Sequence, residues 1–286
     1  MVIIPAPYEG TVSYVKGTAK GPEAIRAASP FIELYDFHLE AEVYKLGIHG
    51  LPLLKMPEEP WPAALAVKAA VVEAIETGRH PVLVGGEHSL TLGAVSACLE
   101  GFPNLTVLQL DAHADLREQY QGDPFSHACV MRRINDLGVK AVPAGIRSLS
   151  RQEKEWIEQK GLAFISAQEI ITSPRWIEKT LEALSSHVYV TVDVDVLDPS
   201  QMPATGYPEP GGITYLHLVE LALALRKAGK HVVGFDLMEL APLPGLHFPQ
   251  YLAASLIYTM IGAFWLEPQP SSPARDKGTT ASIPRK

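Results

Sequence analysis

The chain has 286 residues, 47% hydrophobic and 20% charged, proportions that suit a globular protein with a substantial core. Its formal net charge of −8 argues against a nucleic-acid partner and suits a cationic one. No apolar run approaches the roughly 20 residues that span a bilayer, and the N-terminus lacks the basic and long apolar regions of a signal peptide, so a cytoplasmic protein without membrane contact is expected.

In chain order, short β-type runs alternate with helical patterns. A strand over Val2–Ala6 is followed by a helix over Pro62–Thr77, a strand over Pro81–Val84 and a helix over Leu90–Leu99. Strands over Leu105–Leu110 and Ala141–Ala144 precede helices over Gln152–Gln159 and Pro174–Leu184. Then come a strand over Val188–Val192, a helix over Tyr215–Lys227, a strand over Val232–Phe235 and a helix over Gln250–Phe264. Runs such as Val188-Tyr189-Val190-Thr191-Val192 are nearly all apolar, as parallel strands covered on both faces should be. The alternation implies βαβ units with right-handed crossovers, hence an α/β fold on a parallel sheet. Residues 1–267 are expected to form one domain. Residues 268–286, rich in Pro, Ser, Thr and Gly, are expected to be a disordered tail. Cys98 and Cys129 have no metal-type or redox-type spacing and read as reduced thiols.

In an open parallel sheet, ligands bind beyond the carboxyl ends of the strands. Three polar clusters stand at such ends: Gly85-Gly86-Glu87-His88-Ser89, Asp111-Ala112-His113-Ala114-Asp115 and Asp193-Val194-Asp195. In extended backbone, residues at i, i+2 and i+4 share a face. On that geometry Asp111, His113 and Asp115 converge from one cluster, and Asp193 and Asp195 from another. So many carboxylates at apolar strand ends would be unfavourable without positive charge to neutralise them. With His88 they make a set of four carboxylates and two imidazoles and no thiolate, which favours Mn²⁺ over a structural zinc. Six ligands are too many for one open catalytic ion. Two Mn²⁺ ions about 4 Å apart fit better, their charge balanced by the four aspartates. Each motif alone is weak, since Gly85-Gly86 also suits a tight turn, with Ser89 as a helix cap. The conjunction carries the reading.

Gly-Gly-Glu-His at 85–88, Asp-Ala-His-Ala-Asp at 111–115 and Asp-Val-Asp-Val-Leu-Asp-Pro at 193–199 resemble the three signatures of the ureohydrolases, the arginase-like family that includes agmatinases, guanidinobutyrases and formimidoylglutamases. Tyr8–Tyr14, Gly21–Ile25, Pro203–Gly206 with Gly211-Gly212, and Gly234–Pro242 are similar to further family segments. The resemblance implies a three-layer α/β/α sandwich on an eight-stranded, mostly parallel sheet, two Mn²⁺ per chain, and a trimer or hexamer. It implies hydrolysis of a guanidino group to urea and an amine.

Within that resemblance, Asp115 would orient the nucleophile and pass its proton to the leaving amine. His127 would shuttle protons near neutrality. Glu239, ending a buried strand, would bind the guanidinium through a two-pronged charge-assisted hydrogen bond. Arginases keep Asn and Ser just before that histidine, whereas here Tyr120–Ser126 carries Asp123. Asp123 is expected to disfavour a substrate carboxylate and accept an amine, which makes agmatine, yielding putrescine and urea, the expected substrate. Tyr207, where the family more often has Thr, and the stretch Leu246–Tyr251 keep a bulkier polyamine such as aminopropylagmatine, or guanidinobutyrate, open; arginine and formiminoglutamate are the family's further alternatives. Two other classes weigh less. A catalytically silent binding subunit would have no need of every ligand position, and a deacetylase of similar fold would use one zinc and fewer ligands. Glu87 and Asp198 are expected to be structural.

Overall fold

Strands form where apolar residues run without interruption. In the computed structural model, which describes residues 1–267, they are β1 (Val2–Ala6), β2 (Tyr35–Asp36), β3 (Ala41–Glu42), β4 (His49–Gly50), β5 (Pro81–Gly85), β6 (Leu105–Leu110), β7 (Lys140–Ile146), β8 (Ile165–Ser166), β9 (His187–Asp193) and β10 (His231–Met238). β2 and β3 make a small antiparallel hairpin. The others form one sheet in the order β4-β1-β5-β10-β9-β6-β7-β8, with every pairing parallel. All six expected strands are present. The eight-strand count is completed by β4 and β8, two-residue edge strands too short to leave a hydrophobic pattern. The tail expected over 268–286 lies outside the described residues.

The helices are α1 (Gly21–Ala28), α2 (Pro60–Glu76), α3 (Thr91–Gly101), α4 (Val130–Asp136), α5 (Arg151–Lys160), α6 (Ala167–Thr172), α7 (Trp176–Ala183), α8 (Tyr215–Lys227) and α9 (Phe248–Trp265). The unanticipated ones, α1, α4 and α6, span only two turns or so, too little for a 3.6-residue period to stand out. α5 starts at a reciprocal cap in which Ser150 and Glu153 satisfy each other's backbone N–H groups.

Side chains alternate across the sheet and so build two cores. Val82, Val84, Leu108 and Leu110 face one layer with α8 and α9, while Leu83, Leu105 and Val107 face the opposite layer with α2, α3 and α4. The result is the α/β/α sandwich. Its consequence for function lies in the strand order: β5, β10, β9 and β6 are contiguous. Their carboxyl ends bring residues near 88, 239, 193 and 111 into one crevice, although these are far apart in sequence.

Candidate active site

The clusters do converge, but not by the strand alternation expected of them. β6 ends at Leu110, and Asp115 has a left-handed backbone with φ of 52°. Asp111 Oδ1 accepts a hydrogen bond from His113 N at 2.6 Å, turning the chain. Gln109, still within β6, donates through Nε2 to Asp111 Oδ2 and to the His113 carbonyl. After β9, residues Val194–Val196 form a 3-10 turn capped by Asp193 Oδ1, which accepts from Asp195 N at 2.9 Å. Asp193 and Asp195 therefore serve different neighbours instead of sharing one face. Short polar side chains bonding their own backbone overrode the extended geometry.

His88 Nδ1 lies 3.2 Å from Asp111 Oδ2, 3.2 Å from Asp115 Oδ2 and 3.4 Å from Asp193 Oδ2. It is buried, and none of these neighbours meets hydrogen-bond geometry. His113 Nδ1 lies 2.8 Å from Asp195 Oδ2 and 3.9 Å from Asp111 Oδ1. Two ligand groups result, His88/Asp111/Asp115 and Asp111/His113/Asp195, each with its donor atoms within 4.8 Å of one another. They share Asp111, as two adjoining cation sites would. An orphaned imidazole nitrogen among hard carboxylate oxygens fits divalent metal. The other nitrogen of His88, Nε2, is 2.8 Å from Thr191 Oγ1, a contact that keeps Nδ1 aimed inward.

The electrostatics of these residues favour the same reading. Burial and then the Asp111 charge push Asp115 up to about 7. Burial, then Asp195 and Asp111, raise Asp193 well above the usual carboxylate range. Burial would lower His113, but Asp195 overcomes it and lifts the imidazole to about 11. Burial likewise opposes ionisation of Asp195, yet the His113 charge holds it below its ordinary value. Protons thus take up charge that bound cations would neutralise.

Glu239 is buried, has φ of 66°, and donates its backbone N–H to the Gly86 carbonyl at 2.7 Å. Its Oε1 accepts from His88 N at 2.7 Å. Burial, reinforced by the Glu87 charge, raises its pKa well above the usual value. Gly86 is fixed by space: a Cβ there would sit 2.0 Å from the Tyr8 carbonyl. Left-handed Asp115 and Glu239 are two of four such non-glycine residues among those described, and both lie in the crevice, where strained backbone concentrates.

Glu87 has a more specific structural role than the sequence suggested. Its carboxylate accepts from Gly10 N, Thr11 N, Thr11 Oγ1 and Ser89 Oγ at 2.5–2.8 Å. Thr11 Oγ1 in turn accepts from His127 N at 3.0 Å and lies 3.0 Å from His127 Nδ1. An ionised carboxylate only accepts, so the Thr11 hydroxyl proton points to Glu87. Nδ1 of His127 must then carry the hydrogen between them, leaving Nε2 as the free base. Burial lowers the pKa of His127, which favours this neutral ring. Thr11 was not singled out from sequence, because one threonine in a loop carries no pattern.

Asp115, His127, Asp193, Asp195 and Glu239 line a cavity of about 290 Å³, together with Tyr120, Thr205, Tyr207 and Glu209. Thr205 Oγ1 is buried there without a partner. Asp123, expected at the substrate, is not in the lining. Its Oδ1 accepts from Phe125 N at 2.7 Å and its backbone pairs with Tyr120, so it shapes a turn. No residue of Leu246–Tyr251 lines the cavity either, whereas Tyr207 does. Asp198 braces the loop as expected, accepting from Ser200, Gly211 and Gly212. Arg147, also overlooked in the sequence, gives its guanidinium to the carbonyls of Gly145, Asp195, Val196, Leu197, Glu209 and Pro210.

Residues 1–262 match the family model described as Arginase family. The N(1)-aminopropylagmatine ureohydrolase of Synechocystis sp. is 38% identical over 280 residues, 94% of this chain and 90% of that one. The agmatinase of Pyrococcus horikoshii is 34% identical over 270 residues, covering 91% of this chain and 90% of its own. Among solved structures, the agmatine ureohydrolase of Thermoplasma volcanium superposes with a TM-score of 0.83 at 33% identity, over 92% of this chain and 88% of that one.

Proposed function

The chain belongs to the arginase family, and we propose that this ureohydrolase uses two Mn²⁺ ions to cleave a cationic guanidino-amine, agmatine or its aminopropyl derivative, into urea and an amine. The observation that carries the reading is the pair of ligand groups sharing Asp111 beneath a buried Glu239 that, among the described residues, has no ion-pair partner. The relatives named for agmatine and aminopropylagmatine support the substrate class.

His88, Asp111, Asp115 and Asp193 would hold one side of the ion pair, and Asp111, His113 and Asp195 the other. The ions, when bound, lower the pKa of water at this position and supply a nucleophile at neutral pH. Glu239, desolvated and unpaired, is suited to a guanidinium, which would restore the charge balance that burial denies it. Thr205 Oγ1 offers a further acceptor. Attack forms a C–O bond at the guanidinium carbon, and collapse breaks the C–N bond to the alkyl nitrogen. Both water protons finish on the departing amine. Asp115 would take the first, and His127 Nε2, left as the free base by the Thr11 contact, would relay a proton to the leaving nitrogen.

The lining favours a substrate with a cationic tail over one with a carboxylate. Of the described arginines and lysines only Arg117 lines the cavity, and its guanidinium lies 5.3 Å over the Tyr120 ring. No described helix is long and apolar enough to cross a membrane, and we infer a cytoplasmic homo-oligomer, trimer or hexamer.

Reconstitution with Mn²⁺ followed by metal analysis should find two ions per chain, and urea release should be fastest with agmatine or aminopropylagmatine in a panel that also holds arginine and guanidinobutyrate. A single tightly held zinc would remove the two-ion model. Formamide from formiminoglutamate, with no urea from any guanidine, would remove the substrate reading.

A further inference from the structure

We propose that the mouth of the cavity is a subsite for the cationic tail of the substrate, with Glu209 binding the nearer ammonium and an aromatic wall of Tyr207 and Tyr14 taking a second cationic nitrogen beyond it. The inference deepens the guanidine-hydrolase reading and rests on it for the chemistry, though not for the binding.

Glu209 lines the cavity, and its side chain keeps 35% of its exposure. The one ion-pair contact its carboxylate makes among the described residues is to His113, whose Nε2 lies 3.6 Å away, too far for a hydrogen bond. The Glu209 carbonyl, by contrast, is clamped by Arg147 Nη2 at 2.8 Å. A fixed stem thus presents an uncommitted carboxylate. The His113 ring separates it from the metal cradle, with Nδ1 turned inward to Asp195 and Nε2 outward to Glu209.

The wall beside it is aromatic. Tyr207 lies 5.4 Å from Tyr14, stacks on His127 at 6.3 Å and meets the edge of His113 at 5.7 Å. Ser13 Oγ bonds the hydroxyls of both Tyr207 and Tyr120, fixing the two rings relative to each other. Tyr14 remains 68% exposed. Aromatic faces beside a free carboxylate attract alkylammonium groups and let methylenes slide over the rings. With Glu239 at the base and Glu209 at the rim, two carboxylates are placed for the two ends of one dication. Tyr14, against Tyr207 and largely exposed, carries this aromatic wall out to solvent. The geometry points to linear guanidino-polyamines with two cationic nitrogens beyond the guanidine.

The test compares kcat/KM of Mn²⁺-loaded wild type, Glu209→Gln and Tyr14→Ala on aminopropylagmatine, agmatine and guanidinobutyrate, with metal content measured for each. Wild type should favour the doubly cationic tail over agmatine. Glu209→Gln should lose tenfold or more on both amines through KM, with a smaller loss on guanidinobutyrate, and Tyr14→Ala should lose chiefly on the longer substrate. Equal losses on all three substrates, or loss of metal from Glu209→Gln, would make Glu209 a support for His113 and overturn the proposal. Calorimetry with spermidine, which has no guanidine to cleave, reads the subsite independently of turnover. Spermidine should bind wild type at least tenfold tighter than Glu209→Gln. Unaltered spermidine binding overturns the subsite, whereas absence of urea from every guanidine overturns only the hydrolase reading.

Discussion

Glu87→Gln should change which nitrogen of His127 carries the hydrogen, without touching the histidine itself. In the native chain Glu87 Oε2 accepts from the Gly10 and Thr11 backbone N–H groups, and Oε1 from the Thr11 and Ser89 hydroxyls. The backbone donors cannot turn around, so the oxygen of the substituted amide must face them and its NH₂ must face the hydroxyls. Thr11 Oγ1 would then accept from that NH₂ and direct its own proton at His127 Nδ1, moving the ring hydrogen to Nε2. Four charge-assisted hydrogen bonds become neutral ones, partly offset by relief of a buried charge, a net loss of about 2 kcal/mol. For a chain of this size that lowers the melting temperature by about 3 °C. Histidine ¹⁵N spectra would read the tautomer, thermal melts the stability, and turnover with metal content the catalytic effect. The expected result is reversal of the tautomer, with kcat falling tenfold or more while the metal stays bound. An unchanged tautomer and melting temperature would refute the reasoning.

Thr191→Val removes the contact to His88 Nε2 and leaves that nitrogen unpartnered in the core, so Mn²⁺ affinity should fall about 10- to 100-fold by titration. In metal-stripped protein, Asp115 near 7 and the raised Asp193, His88 and His113 all hold protons more tightly than in the unfolded chain. Stability of the stripped form should therefore rise as pH falls from about 7.5 to 5.5, whereas the loaded form should lose stability as protons displace its ions, a contrast read by thermal melts with and without chelator. Gly86→Ala puts a methyl 2.0 Å from the Tyr8 carbonyl and should cost about 3 kcal/mol or prevent folding, measured by denaturant unfolding.

What could be read from the sequence depended on how far apart the cooperating residues stand. Val188–Val192 and Leu105–Leu110 announced buried parallel strands because every residue in them is apolar or nearly so. His88, Asp111, His113, Asp115, Asp193 and Asp195 were legible because each cluster closes such a strand. Their joint geometry was not. Asp111 and Asp193 bond to backbone two residues ahead, which an alternation rule cannot foresee. Asp123 is expected at the substrate from its charge and its place just before His127, whereas the backbone N–H of Phe125 claims its carboxylate. Thr11, Arg147 and Glu209 act through partners 48 to 116 positions away, so only the fold gives them meaning.

Arg147 ties the carbonyls of Asp195, Val196 and Leu197, behind the proposed metal ligands, to those of Glu209 and Pro210 at the rim. One guanidinium therefore bolts the part of the enzyme that performs the reaction to the part that selects what reacts. A lineage exploring new substrates through the 203–212 loop could not vary it freely, since any displacement of the rim would pull on the Asp195 backbone and disturb ion binding. Retuning the mouth is then confined to exchanges of side chains on a stationary backbone, as at Tyr207 and Glu209.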